Sequence, residues 1–176
     1  MRKTLDYYAK EIRKLNVEKG WYDKTAEDRT HLINYALLHT EPAEASEEVR
    51  NHKDALYYGA GDKPEGIAIE LIDLVIRVLD TLAEYNNLKF VVEYNEEQIL
   101  LKGSELEVHA LFHYLISKAM EHNLNKAPLC EQTALEKIVF CVQIYFSRMK
   151  WNFEDLLVKK INYNRHRPYR HNNKRF

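Results

Sequence analysis

Turn-forming residues are scarce in this chain, with five glycines and four prolines across 176 residues. A sandwich or barrel needs a tight turn roughly every ten residues, so the shortage argues against both and favours helices. Cysteine is scarcer still. Cys130 and Cys141 are too far apart for a CxxC pair and lack Cys or His companions at zinc spacing, so both read as reduced thiols. No stretch approaches the ~18 uninterrupted apolar residues of a membrane helix, and MRKTLDYYAKEIRK has no apolar leader segment. No membrane partner and a cytoplasmic location are therefore expected. The net charge of -1 removes the general case for a nucleic-acid binder. Acids are missing altogether after Asp155, where the tail carries Lys159, Lys160, Arg165, Arg167, Arg170, Lys174 and Arg175.

What the chain does have is apolar material: 45% of its residues, with 12 Tyr and 6 Phe, enough to bury the core of one domain spanning 1–176. The fold class expected is all-α, a helical bundle. Thr4 can cap a first helix whose apolar positions Leu5, Tyr8, Ala9, Ile12 and Leu15 follow helical spacing, and Gly20 closes that region. Thr25 and Asp28 resemble a capping box opening a second helix through Leu32, Ile33, Ala36 and Leu37 into EPAEASEE, which Pro42 interrupts and should kink. GAGDKPEG reads as a loop, with Asp62 as a cap and Pro64 near the start of a third helix at about 65–86. FVVEY and QILL fit either a short hairpin or a helix. Two further periodic runs, about 105–122 and 131–149, read as helices with Pro128 between them, and a last helix from about Phe153 ends before Pro168.

AIELIDLVIRVLD (68–80) lines up with ALEKIVFCVQIYF (134–146), keeping Ala, Glu and the Ile/Val positions. Two readings stay open: two related helix pairs, or two amphipathic helices alike by composition. In the second segment Val139 stands where Asp73 stands in the first.

The third helix carries its polar residues Glu70, Asp73, Arg77, Asp80 and Glu84 at spacings of three and four on an otherwise apolar background. On the second helix, Glu41, Glu44 and Glu48 continue the face marked by Ile33 and Leu37. Acidic stripes usually face water. Two of them on consecutive apolar helices point instead to a shared cation, because gathered carboxylates repel unless something neutralises them. An all-carboxylate set suits Mg2+ or Mn2+, whereas a di-iron bundle needs Glu-x-x-His, and here the partners three residues on are Glu44 and Asp73. His109 and His113, at i and i+4, form a weaker metal pair with no third ligand at hand.

The pattern Glu41-x-x-Glu44, then Glu70-x-x-Asp73 within KPEGIAIELIDLVIR, resembles the all-α nucleoside triphosphate pyrophosphohydrolases of MazG type. Lys160-x-x-x-Asn164-x-x-Arg167-Pro168-Tyr169 is similar to that family's basic C-terminal motif, and the Trp21 loop resembles its base-contacting segment. The resemblance covers about 16–88 and 150–172. It divides the chain into a catalytic helix pair (16–88), a degenerate repeat or insertion (104–150), and a C-terminal helix with a phosphate-binding motif (151–169). Pro42 between the two glutamates and the long middle segment depart from the family pattern.

The resemblance implies Mg2+-dependent hydrolysis of a nucleoside triphosphate to the monophosphate and pyrophosphate, in the service of the nucleotide pool. Glu41, Glu44, Glu70 and Asp73 would hold the metal, with Glu41 or Glu44 taking the proton of the attacking water. Lys160, Asn164 and Arg167, with Lys63 as a lesser member, would hold the phosphates. Trp21 would stack on the base or, on the plainer reading, fill a gap between helices. A homo-oligomer is implied as well. A catalytically degenerate nucleotide-binding regulator of the same fold is the alternative, and a nucleic-acid binder has only the basic tail in its favour.

Overall fold

A computed structural model describes residues 3–23, 31–85, 88 and 102–169. Among these residues the chain is an all-α helical bundle of six helices with one two-stranded ribbon. The Thr25–Asp28 box, FVVEY, QILL and the tail beyond Tyr169 lie outside the described residues.

Helix α1 (Leu5–Glu18) starts where Thr4 accepts a hydrogen bond from the Tyr7 amide, and it buries Tyr8, Ala9, Ile12 and Leu15 along one face. It ends at Gly20, whose φ of 78° lets its amide reach the Val17 carbonyl while the Trp21 amide reaches Asn16. Helix α2 (His31–Arg50) runs unbroken through Pro42, so the expected interruption does not occur. Proline withholds one amide from the ladder, but the helix packs against two others, and the Ser46 hydroxyl donates to the Pro42 carbonyl at 2.7 Å.

A ribbon of β1 (Tyr57–Tyr58) and β2 (Pro64–Glu65) follows, antiparallel, with Tyr57 opposite Glu65. Pro64 stands near the start of α3 as expected, but in a strand, and Asp62 belongs to a 3-10 turn (Ala60–Asp62) instead of capping α3. Helix α3 (Ile67–Leu82) is shorter than expected at both ends. Its start is set by Gly66, with φ 113° and space so tight that an added Cβ would stand 2.5 Å from the Asp54 carbonyl oxygen. Fourteen of the sixteen residues of α3 are buried. A helix apolar on nearly every side must be central, and α3 is, touching α1, α2, β2 and the last two helices, Pro128–Met149 and Phe153–His166. Its two exceptions are Asp73 and Arg77.

Helix α4 (Glu105–Leu124) opens with a full capping box, Ser104 and Glu107 bonding reciprocally. Helix α5 (Pro128–Met149) begins at Pro128, which supplies the first residue of the helix instead of separating two. Helix α6 (Phe153–His166) is capped by Asn152 and stops before Pro168. All six helices contribute to one apolar core, including Tyr35, Phe112, Tyr145, Phe146 and Leu157. Glu131 of α5, itself buried, joins the helix pairs by accepting from Tyr35 at 2.7 Å and from Asn123. No helix among the described residues is long and apolar enough to cross a membrane.

Candidate functional site

Five parts of the fold converge on a cleft of about 250 Å³. Helix α2 contributes Leu37, Glu41 and Glu44, at i, i+4 and i+7 on one helical face; α6 contributes Lys160 and Asn164, at i and i+4, and Arg167 follows just past its end. Helix α3 contributes Glu70, Asp73, Ile76, Arg77 and Asp80. Asn16 and Trp21 close one end from α1 and the turn that follows it, and Lys63 enters from the ribbon. All nine residues singled out from sequence (Trp21, Glu41, Glu44, Lys63, Glu70, Asp73, Lys160, Asn164 and Arg167) line this cleft.

Three of the acids form a tight group: Glu41, Glu44 and Glu70 each present an oxygen within 4.8 Å of the others. Asp73 stands apart from that trio, with its Oδ2 2.7 Å from Lys160 Nζ. Glu41 and Glu70 are buried while Glu44 is exposed. Desolvation pushes the Glu41 carboxyl up to about 7, against the opposing pull of Arg77, with Asp73 and Glu44 adding to the rise. Burial likewise lifts Glu70 to about 8, helped by the charges of Asp73, Glu44 and Glu41 and opposed by Lys160. Glu41 and Glu70 thus keep their protons to higher pH than a free carboxyl, and a cation beside them would favour the ionised forms. The trio's donors are carboxylate oxygens only, without imidazole or thiolate, and that set fits a hard divalent cation such as Mg2+ or Mn2+.

Cations ring the acids. Arg77 Nε lies 2.5 Å from Glu41 Oε1, an oxygen that also accepts from the Thr40 hydroxyl at 3.1 Å. Lys160 is almost wholly buried, at 2% exposure, and reaches toward the Pro64 carbonyl as well as Asp73. Lys63 pairs with Glu65 at 2.8 Å; burial alone would lower its pKa, but that hydrogen bond and the charges of Glu65, Glu70 and Asp73 outweigh it and hold the ammonium above the usual lysine value. The Arg167 backbone carbonyl accepts from Lys19 Nζ at 2.5 Å, and Tyr169 donates to Asp23, so the chain after α6 is tied to the end of α1.

Asp80 anchors the turn bearing Trp21. Its Oδ1 is 2.9 Å from Arg13 Nε, its Oδ2 accepts from the Tyr22 hydroxyl at 2.6 Å, and the Arg13 guanidinium lies 4.3 Å from the centre of the Tyr22 ring. The sequence reading assigns no role to Asn16, Leu37, Ile76, Arg77 or Asp80. Arg77 and Asp80 were visible in the same polar stripe as Glu70 and Asp73, whereas a lone Asn near the end of α1 carries no signal.

The His109–His113 pair does not form. Instead His113 Nδ1 meets His39 Nδ1 of α2 at 3.0 Å, and His109 Nδ1 meets Ser46 Oγ at 3.0 Å. Residues one helical turn apart are near enough to share a metal only when both side chains turn to the same point, and packing against α2 turns them to different partners. Nor does the second helix pair repeat the trio: among the described residues, Glu41, Glu44 and Glu70 form the one group with metal-holding geometry. In α5 the counterpart of Glu70 is Glu136, buried and bonded to Gln132, and that of Asp73 is the fully buried Val139.

No protein-family model, curated protein or solved structure matches this chain.

Proposed function

We propose that the cleft hydrolyses a nucleoside triphosphate between its α and β phosphates with the help of Mg2+, giving the monophosphate and pyrophosphate. The observation that supports this reading best is the division of charge across the cleft: three carboxylate oxygens gathered within 4.8 Å on α2 and α3, and Lys160 and Asn164 of α6 with Arg167 just past its end lining the same cleft. A triphosphate carried by a divalent cation needs both halves, oxygen donors for the metal and cationic or amide donors for the phosphates.

Glu41, Glu44 and Glu70 would hold the cation, with Asp73 beside them. When bound, Mg2+ supplies neutralisation of phosphate charge and lowers the pKa of a coordinated water. Glu44, exposed at the cleft, would accept the proton of the attacking water, while Glu41 is held by Arg77 and Thr40. Arg167 would face the phosphates with a forked guanidinium suited to two oxygens at once, and Lys160 would add its charge from the buried pair with Asp73. Trp21, held by the turn that Asp80 anchors, offers a flat apolar face to a base.

Pyrophosphate release from a panel of ribo-, deoxyribo- and modified nucleoside triphosphates, with and without Mg2+, tests the proposal. Metal-dependent release supports it and the fastest nucleotide names the substrate class. A folded protein that binds nucleotide and Mg2+ but releases nothing would be a nucleotide-binding regulator instead.

A further inference from the structure

Glu41 and Asp73 already have cationic partners, and those partners differ in their freedom to leave. Lys160 Nζ lies 2.7 Å from Asp73 Oδ2, with its side chain 2% exposed and packed beneath β2. Arg77 Nε lies 2.5 Å from Glu41 Oε1, yet its side chain is 36% exposed and stands on the cleft wall. A divalent cation held by Glu41, Glu44 and Glu70 would bring two further positive charges close to the guanidinium. That repulsion opposes the pair with Glu41, and a guanidinium whose side chain is 36% exposed has solvent to move into. Buried Lys160 has nowhere to go, whereas Arg77 does.

We propose that Arg77 is an exchangeable counter-ion, which neutralises Glu41 until a divalent cation does so and then becomes an anion-binding group of the same cleft. The inference rests on the metal-dependent reading above and adds a residue and a coupling to it. Arg167 is close enough to feel the charges of both Asp73 and Arg77, so a guanidinium released from Glu41 faces an existing cationic edge and gains most from an anion lying between the two. Cation and anion then bind with positive coupling, each raising the affinity of the other by the same factor.

The test uses Mn2+ alone, followed by calorimetry or spin resonance without turnover. Arg77→Gln should bind Mn2+ about tenfold more tightly than wild type, because the competing charge is gone. Arg77→Lys, which keeps the charge, should remain within about threefold of wild type. Lys63→Gln supplies the control, since Lys63 feels Glu70 and Asp73 through space but pairs with Glu65, and its effect should also stay within about threefold. In wild type, Mg2+ should also speed solvent exchange of the Arg77 Nε proton, a readout that holds even if Arg77→Gln does not fold. Inorganic phosphate should gain more affinity from Mn2+ in wild type than in Arg77→Gln. Equal or weaker Mn2+ binding by Arg77→Gln, or an Arg77 proton indifferent to Mg2+, overturns the counter-ion role and leaves the functional reading standing. Absence of Mn2+ binding by both proteins removes that reading and the inference together.

Discussion

Lys160 of α6 and Asp73 of α3 form an ion pair at 2.7 Å, with the ammonium all but sealed from solvent and the carboxylate 21% exposed in its side chain. The pair joins the C-terminal helix to the central one at the floor of the cleft. Removing one member of such a pair leaves the other charged and desolvated, a loss that outweighs the net strength of the pair itself. Asp73→Ala should therefore destabilise the fold by roughly 2–4 kcal/mol, less than a fully buried pair would because Asp73 keeps some water. Thermal or denaturant unfolding checks this. A variant as stable as wild type would show that Lys160 finds another partner.

Glu44 gives the opposite outcome. It is exposed and belongs to a group of acids that repel one another, so Glu44→Ala should change stability by no more than about 0.5 kcal/mol while weakening Mn2+ binding about tenfold or more. Pyrophosphate release should fall with it. Unchanged metal affinity in a folded Glu44→Ala protein would take this residue out of the cation site.

The contrast between these two acids shows where sequence reasoning reached its limit. The three-residue spacing of the acid pairs places each pair on one helical face, so the gathering of acids was legible from periodicity, whereas Lys160, Asn164 and Arg167 were joined to them only through the family resemblance. Periodicity says nothing about which member pairs with which across helices. Asp73 therefore looked equivalent to Glu70, and Arg77, lying in the same stripe, was passed over among the acids. Helix bodies were likewise legible, but the start of α3 was not. A strand of two residues is too short to show alternation, so Pro64 and Glu65 read as the first turn of a helix. Pro42 misled for another reason: a proline deprives a helix of one hydrogen bond, and a long helix packed on two sides retains enough others.

Acid should weaken the α2–α4 contact. Ser46 commits its hydroxyl proton to the Pro42 carbonyl, so His109 Nδ1–H donates to Ser46 Oγ and leaves Nε2 a buried acceptor with no hydrogen-bond partner among the described residues. Burial pulls His109 down to about 4, with the neighbouring charge of His113 adding to the effect. Between pH 6.5 and 4 the unfolded chain therefore binds a proton that the folded protein refuses. Stability contributed by neutral His109 is complete above pH 6.5 and falls as pH drops through that window, by up to roughly 3 kcal/mol. Denaturant unfolding at several pH values, compared between wild type and His109→Leu, isolates the component; it should flatten in the variant, and parallel curves would show that His109 does not titrate differently on folding.

Gly66→Ala should be among the most disruptive single changes available. Its φ of 113° suits glycine alone, and the new methyl would meet the carbonyl oxygens of Asp54 and Ala55 at 2.5 and 2.8 Å. Those carbonyls cannot yield freely, since Ala55 accepts from the Ala68 amide at 3.0 Å. A loss of about 3 kcal/mol or more is expected, and because Gly66 fixes where α3 begins, Glu70 should shift with it. Unfolding measured beside Mn2+ affinity checks both consequences, and loss of stability with full metal affinity would separate the helix start from the position of Glu70.

Arg167→Ala tests whether the C-terminal segment serves the cleft or merely closes it. The tie to α1 uses the backbone carbonyl of Arg167, which an alanine retains, and the Tyr169–Asp23 bond is untouched. Truncation should therefore leave the fold in place and remove one donor from the phosphate side. If the guanidinium holds phosphates equally in the ground and transition states, KM should rise about tenfold with kcat nearly constant. A fall in kcat at constant KM would instead assign Arg167 to charge that develops during the reaction, as expected of a donor beside the leaving pyrophosphate. Unchanged kinetics would confine Arg167 to its backbone contact and take its guanidinium out of the phosphate side of the cleft.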